Sequence, residues 1–482
     1  MFITKKIIST AKSDPKKVAI YSVDKNISYF YLSDLIQKNG NILSKNSNIK
    51  IGIITLSKVN YILALLSIYK SGNIPVALPF EFKDDLLSKL VKRDGITACI
   101  IDESLVSKFP SSIKKMSCLY YIDNSNILNE VKFSPVFEKN PLGLQLVLYT
   151  SGTTGMPKGV MLSKKNLLSN TKSIIKILNL KSTDCGALVI PPNHAFGNSI
   201  INTHFYSKGS IVVANIGFKE EVFKSCRVST VFYGVPSTYN ILLDNKSGFS
   251  KAFNYVRIFA SAGGALLFDQ IKLIKKYCPK TKIIPMYGQT EATARLSYIP
   301  YEELNSSIGT IGIPIPGVKL KILNSYSNPE GEIIAKGNNI MLGYYNDLIS
   351  TKKKVVNGWL HTGDIGVFDK KGFIKLIGRQ DDMVKIADYR INPREIELRI
   401  ADELKINNLF LTNIPDKLLG NCLVALFFGK NLQENKIKTF FKKNYPSFIC
   451  PKEILLVDHL PLSENGKVSN KSIRDCYERI KM

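Results

Sequence analysis

With 482 residues, 45% of them hydrophobic, the chain is too long for one ordinary domain and holds material for more than one large core. Its formal net charge of +27 would suit a nucleic-acid binder. The basic residues are spread along the whole chain rather than gathered in one block, which weighs against a specific nucleic-acid partner and leaves anionic lipid or an acidic protein open. The eight cysteines (Cys99, Cys118, Cys185, Cys226, Cys278, Cys422, Cys450, Cys476) stand far apart with no CxxC pair. That argues against a zinc site or a disulfide framework and for reduced thiols in a cytosolic, cytoplasmic protein. The opening MFITKKIIST has no signal-peptide apolar core. The apolar stretch 61–69 ends at Lys70 and is too short to span a bilayer, so no transmembrane segment is expected.

Residues 18–22 and 27–31 read as short strands around a turn at Asp24-Lys25-Asn26, and 31–42 has the apolar spacing of a helix. A strand is expected at 49–55, a buried helix at 61–71, and further short apolar runs at 74–78 and 98–101. Strands alternating with helices point to a largely parallel sheet.

The stretch 146–160 reads LVLYTSGTTGMPKGV. An apolar run, Leu146-Val147-Leu148-Tyr149, predicts a buried strand. A loop of hydroxyls and glycines follows: Thr150, Ser151, Gly152, Thr153, Thr154 and Gly155, closed by Pro157-Lys158-Gly159. Glycines let backbone N–H groups approach a ligand, hydroxyls add neutral donors, and the lysine adds one compact positive charge. That combination suits a polyphosphate, although a Walker A pattern cannot be laid on these residues.

Beyond it, Ser163 is expected to cap a helix running to Leu178. Strands are expected at 187–190, 210–214, 230–232, 256–260 and 283–286. Four of these run into loops carrying small, polar or aromatic residues: 191–197, 233–236, 261–265 and 287–291. In open α/β sheets ligands lie beyond the carboxyl ends of the strands, so these loops are expected to face one crevice. From residue 308 short strands with Gly and Pro turns (318–323, 331–335) predict a small β-rich subdomain, with His361-Thr362-Gly363-Asp364 in a turn before a hairpin around 369–372. A charged break at Gly378-Arg379-Gln380-Asp381-Asp382 precedes about a hundred residues, enough for a small α+β domain.

YTSGTTGMPKG, YGQTEAT, HTGD, GRQDD and ENGKV occur in this order over most of the chain. This set resembles the AMP-forming acyl-adenylate superfamily: acyl-CoA synthetases, peptide-synthetase adenylation domains and luciferases. The resemblance implies an α/β fold, with a large N-terminal domain of α/β sheets and a small β-rich subdomain (1–380) and a smaller, mobile α+β C-terminal domain (381–482). It implies two half-reactions. A carboxylate attacks the α-phosphate of Mg-ATP to give an acyl-adenylate and pyrophosphate. A thiol of CoA, or of an acyl-carrier protein's phosphopantetheine, then takes the acyl group; a non-catalytic nucleotide-binding relative of this family is the alternative from a different class.

The resemblance also implies roles. Thr150 to Gly155 and Lys158 would cradle the β- and γ-phosphates. Tyr287, followed by Gly288, would stack on adenine, with Gly264 and Ala265 as the opposite wall. Thr290 would bond the α-phosphate, and Glu291 would bind Mg²⁺. Asp364 and Arg379 would hold the ribose. Lys467 would be the catalytic lysine and Asp381 the hinge. His194, Phe196, Tyr233, Gly234 and Gly263 resemble the acyl-pocket gate. No aspartate stands in His194-Ala195-Phe196-Gly197 to hold a substrate ammonium, which leans towards an uncharged acyl chain or a small carboxylic acid. Asp388 departs from the pattern, because the family has a glycine there that lets the pantetheine arm pass. Its bulk and charge put the thiol step in question while leaving the first half-reaction intact.

Overall fold

In the computed structural model the described residues are 2–78, 84–108, 113, 116–134, 140, 143–150, 156–266, 268–324, 329–380, 384–386, 389–416, 418–429, 432–461, 468 and 470–481. A nine-stranded sheet holds the four strands expected to point at one crevice. Its parallel core runs, in spatial order, Val18–Tyr21, Ser210–Val213, Cys185–Leu188, Val231–Gly234, Ile258–Ser261 and Lys282–Tyr287. Cys185–Leu188, Val231–Gly234, Ile258–Ser261 and Lys282–Tyr287 are neighbours running the same way, so the loops at their carboxyl ends leave one edge of the sheet. Short antiparallel strands, Ser297–Tyr298 and Ile313–Pro314, follow beyond Lys282–Tyr287.

A second, eight-stranded sheet has a parallel core of Leu144–Thr150, Ile74–Ala77, Lys50–Ile54, Ala98–Asp102 and Cys118–Ile122. One edge is antiparallel: Lys158–Ser163 pairs Leu144–Thr150, and Gly343–Tyr344 pairs Lys158–Ser163. The strands are apolar on both faces, as parallel strands covered by helices must be. Lys58, at the start of the helix Lys58–Ser71, ties the two sheets together. Its ammonium donates to the carbonyls of Val189 and Ala214, both at 2.6 Å, and of Leu188 at 3.2 Å. Three carbonyls match the three ammonium donors and pin the ends of two neighbouring strands, one of which leads to a crevice loop.

Under the crevice loops the core is aromatic. Phe232, Tyr239, Phe249, Phe253 and Phe259 are fully buried, with Phe232 and Phe253 centroids 4.7 Å apart and Phe249 and Phe259 stacked at 5.5 Å. Tyr239 donates to the Ala260 carbonyl at 2.9 Å. This cluster, with about 0.5–1.5 kcal/mol per aromatic pair beyond area burial, fixes the strand that carries Tyr233 and the strand that leads into Gly263.

The helix Lys164–Leu178 begins as expected: Ser163 accepts from the Asn166 N–H and Asn166 returns the bond, a capping box. Three local expectations differ. The strand expected over 27–31 stops at Ser28, whose hydroxyl takes the Tyr31 N–H at 3.2 Å and starts the helix Tyr29–Leu43. Residues 195–197, expected as loop, open the helix Ala195–Tyr206. That helix is buried on nearly every side, so it carries no amphipathic period to read. The HTGD motif, expected in a turn, lies within the strand Trp359–Phe368, where Gly363 has a φ of 78 and the register shifts between Ile365 and Gly366.

The chain divides into two units, Met1–Ser306 with Gly312–Leu320 and Ala335–His361, and Ser307–Ile311 with Lys321–Ile334 and Thr362–Met482. The second unit contains a three-stranded sheet, Leu409–Asp416, Gly420–Phe428 and Ile454–Val457. The helix Pro393–Leu404 packs on it through Ile396 and Ile400. The fold is therefore α/β in the large unit and α+β in the smaller one, the class expected from the sequence. No described helix is long and apolar enough to cross a membrane.

Candidate active site

Thr150 and Lys158 face each other as register partners at the end of the antiparallel pair Leu144–Thr150 and Lys158–Ser163. Between them, Ser151, Gly152, Thr153, Thr154 and Gly155 lie outside the described residues, as do Asp381, Asp388 and Lys467. Lys158 is held from below. Its ammonium donates to the Ser350 hydroxyl at 2.7 Å, stands 3.9 Å from the Asp347 carboxylate, and sits 5.1 Å from the Tyr344 ring centroid. The Tyr344 hydroxyl donates to Glu291 Oε1 at 2.7 Å. One tyrosine thus touches both the lysine of the glycine–hydroxyl stretch and the carboxylate expected to bind metal.

The backbone secures this link. The Met341 N–H donates to the Glu291 carbonyl at 2.9 Å, the Leu342 N–H to Met161 at 2.9 Å, and the Tyr345 N–H to Gly159 at 2.7 Å. Residues 341–345 therefore clamp two motifs that lie far apart in sequence. Glu291 is 7% exposed, makes no ion pair, and takes one side-chain donor among the described residues. A buried carboxylate with unused lone pairs and no cationic partner fits a hard divalent cation such as Mg²⁺.

Tyr287 ends its strand half-buried. Gly288 is forced by a close approach: a Cβ there would stand 2.1 Å from the Ala294 carbonyl oxygen and 2.7 Å from Arg295 Cα. Thr290 and Glu291 form a short 3₁₀ turn ended by Thr293 in the left-handed region. Gly263, Gly264 and Ala265 are exposed, and the Ala262 N–H donates to the Gly234 carbonyl at 3.3 Å. That bond brings the 261–265 loop against the end of the Tyr233 strand. In the smaller unit, Asp364 and Arg379 are cross-strand partners with Arg379 Nε 3.4 Å from the carboxylate. The Asp364 N–H donates to the Thr362 hydroxyl at 3.1 Å, and the Thr362 hydroxyl donates to the Ile333 carbonyl at 2.6 Å.

In the gate group, Phe196 stands edge-on to Tyr233 at 6.2 Å. His194 occupies the N-cap position of Ala195–Tyr206. The imidazole on the Tyr233 hydroxyl is that of His204, at 3.0 Å and fully buried. Burial pushes the His204 imidazole down to about 4, against an opposing pull from Asp184 and with a smaller push from Arg257. The ordinary value is 6.5, so unfolding takes up a proton between these limits. Stability is whole above pH 6.5 and drains as pH falls towards 4, by on the order of 3 kcal/mol. Urea titrations across that range are expected to show this slope in the wild type and a flatter profile in His204→Gln. Equal slopes would remove His204 as the source.

Sequence reading passed over Tyr344, Asp347, Ser350, His204 and Arg295. The aromatic pair in Gly343-Tyr344-Tyr345-Asn346-Asp347, and an arginine in the otherwise uncharged Ala292-Thr293-Ala294-Arg295-Leu296, were the available signals.

Parallel strands ending in one row of loops, with a clamped lysine and a buried carboxylate beside them, define an α/β protein with a candidate ligand site at its strand ends. The chain belongs to the AMP-binding enzyme family, whose model matches residues 8–345. The long-chain-fatty-acid–CoA ligase of Escherichia coli O6:H1 is 29% identical over 357 residues, 70% of this chain and 62% of that ligase, so the match spans under two thirds of the relative's length. The oxalate–CoA ligase of Arabidopsis thaliana is 29% identical over 68% of this chain and 66% of its own. Tyrocidine synthase 3 of Brevibacillus parabrevis is 26% identical over 96% of this chain and 7% of its own. Among solved structures, ATP-bound MatB from Rhodopseudomonas palustris has the same fold, with a TM-score of 0.85 at 22% identity over 100% of this chain and 99% of that one. The o-succinylbenzoate CoA synthetase of Bacillus subtilis with its acyl-adenylate gives 0.80 at 19% over 98% of each.

Proposed function

We propose that this protein is an ATP-dependent ligase that adenylates a carboxylic acid and passes the acyl group to a thiol. The observation that carries the reading is the Lys158–Tyr344–Glu291 link, a clamped cation and a buried carboxylate joined through one side chain. Polyphosphate chemistry needs both: a fixed positive charge for the leaving diphosphate, and a carboxylate for the metal that accompanies it. Glu291 would hold Mg²⁺, which would offset phosphate charge.

In the first half-reaction an oxygen of the acid attacks the α-phosphorus, the bond to the bridging oxygen breaks, and pyrophosphate leaves with that electron pair. Thr150 to Gly155 and Lys158 receive the developing charge, Thr290 bonds the α-phosphate, and Tyr287 stacks on adenine against Gly264 and Ala265. Asp364 and Arg379 hold the ribose, and Lys467 bridges the acid and the α-phosphate as the bond forms. In the second half-reaction a thiol sulfur attacks the acyl carbon, its proton goes to solvent, and AMP leaves. The acceptor is CoA, with an acyl-carrier protein's phosphopantetheine as the alternative; the net charge of +27 would suit an acidic carrier. Residues 1–380 would form the adenylation domain and 381–482 the mobile domain, turning at Asp381, with Asp388 beside the pantetheine path. Eight free thiols fit a cytoplasmic setting.

Carboxylate-dependent ATP–pyrophosphate exchange tests the first step without an acceptor. Exchange with one class of acid is expected, and Lys467→Ala is expected to lower it about 10²–10³-fold. Unchanged exchange in that variant would remove Lys467 from the mechanism. Faster transfer to a carrier than to CoA, lost at high salt, would decide for the carrier.

A further inference from the structure

Arg295 is the one fully buried guanidinium among the described residues whose nitrogens meet no carboxylate. It is 3% exposed. Nη1 donates to the Ala294 carbonyl at 3.2 Å, Nε points at Met286 Sδ at 3.4 Å, and the guanidinium carbon lies 4.0 Å from the Phe196 ring centroid. Arg93, Arg257, Arg394 and Arg399 each contact an acid. Burial lowers the Arg295 guanidinium to about 9, and the nearby Tyr233 opposes that shift, so it remains a cation at neutral pH. Among the described residues its side-chain hydrogen bonds go to a carbonyl and a thioether, with an aromatic face against the guanidinium, and none goes to an anion. Burying such a charge without an anion is costly.

The backbone beneath it is strained and pinned. Ala294 sits at φ 116, in a region that residues other than glycine rarely enter, and Thr293 at φ 60. Asn170 and Asn339 donate to the Arg295 carbonyl at 2.9 and 3.0 Å, and the Thr293 hydroxyl donates to the Asn339 carbonyl at 2.6 Å. Strain of this kind persists where the surroundings over-determine it, and it collects at ligand sites. Here it turns a buried cation towards Phe196, which stands against Tyr233.

We propose that Arg295 is a specificity-determining residue of the acid pocket, and that the acid this protein activates carries a second carboxylate bound by the Arg295 guanidinium. The proposal rests on the ligase reading above. A planar fork of donors matches a carboxylate in two parallel bonds. The arginine backbone lies directly against Gly288, so the guanidinium stands one side chain away from the Tyr287-Gly288 turn. Phe196 lies on the guanidinium, Tyr233 stands edge-on to Phe196, and His204 packs behind Tyr233. The second carboxylate is therefore close to the first, in a compact diacid rather than a long uncharged chain.

The test is pyrophosphate exchange with malonate, succinate and glutarate, their monoamides, and monocarboxylates of equal length. At least one diacid is expected to exceed its monoamide and matched monoacid about 100-fold or more in kcat/KM, because the neutral analogue leaves the buried cation unpaired. Arg295→Met is expected to erase or invert that preference with an unchanged KM for ATP, and Arg295→Lys to keep part of it. If Arg295→Met does not fold, Arg295→Lys and Arg295→Gln read the same ratio, with the ATP-dependent rise in Tm as the check on folding. Equal use of diacids and monoacids by the wild type overturns the proposal, as does a preference that these variants do not move. Equal loss of monoacids and diacids in the variants also overturns it, because Arg295 would then grip the reacting carboxylate. Exchange with monoacids alone would remove the Arg295 subsite and leave the ligase reading standing. ATP binding with no exchange for any acid would remove the ligase reading, and this proposal with it.

Discussion

Glu291→Gln is expected to lower acid-dependent pyrophosphate exchange by about 10²–10³-fold with Tm nearly unchanged. The amide keeps an oxygen for the Tyr344 hydroxyl, which donates to Glu291 at 2.7 Å, so packing and the local hydrogen bond survive. What disappears is the one negative charge at a buried point with no cationic partner among the described residues. The variant should need more Mg²⁺ to reach half its maximal rate. Tyr344→Phe separates charge from orientation: it keeps the carboxylate and the ring beneath Lys158 but frees the carboxylate to rotate. Losing an outer partner of a metal ligand costs about 10–100-fold in affinity or activity. The order expected is therefore wild type, Tyr344→Phe, then Glu291→Gln. A Glu291→Gln protein with wild-type exchange and wild-type Mg²⁺ dependence would end the assignment of Glu291 as metal carboxylate.

Gly288→Ala is expected to cost about 3 kcal/mol or more, a fall in Tm of roughly 4 °C or more for a unit of this size. The new methyl would meet the Ala294 carbonyl oxygen at 2.1 Å and Arg295 Cα at 2.7 Å, both main chain. A flexible side chain could step aside. This backbone cannot, because it is held by the Leu296 N–H bond to the Tyr287 carbonyl at 2.8 Å and by Asn339 and Asn170. Relief comes only by moving Tyr287 or Arg295, so the protein that does fold should show a raised KM for ATP and for the acid together. Thermal melts and exchange kinetics on one preparation check both halves. A stable Gly288→Ala protein with normal kinetics would mean the two segments part more easily than their hydrogen bonds allow.

These positions also divide what the sequence carries from what it does not. The apolar strand before Thr150, the Ser163 cap, and the small-residue loops after each parallel strand are written locally. They depend on turn chemistry, capping and apolar period within a dozen residues, and the α/β class follows from their alternation. The shared direction of the four crevice strands was inferable for the same reason, since parallel neighbours send their loops to one edge.

Local signals failed where a neighbouring residue competed. Ser28 took an N–H that a strand would have used, and the helix Ala195–Tyr206 was hidden because burial on all sides erases its period. The side-chain partnerships of the site were not in the sequence at all. Tyr344 meets Glu291 across 53 residues and Lys158 meets Ser350 across 192. His204, rather than His194, holds the Tyr233 hydroxyl. Arg295 lies sealed against Phe196, whereas its letter in the chain reads as one more surface cation. Sequence by itself determined which strands, caps and loops exist. Strand order and burial decided which side chains meet and which charges lose their water, because those energies belong to contacts between segments and have no local pattern.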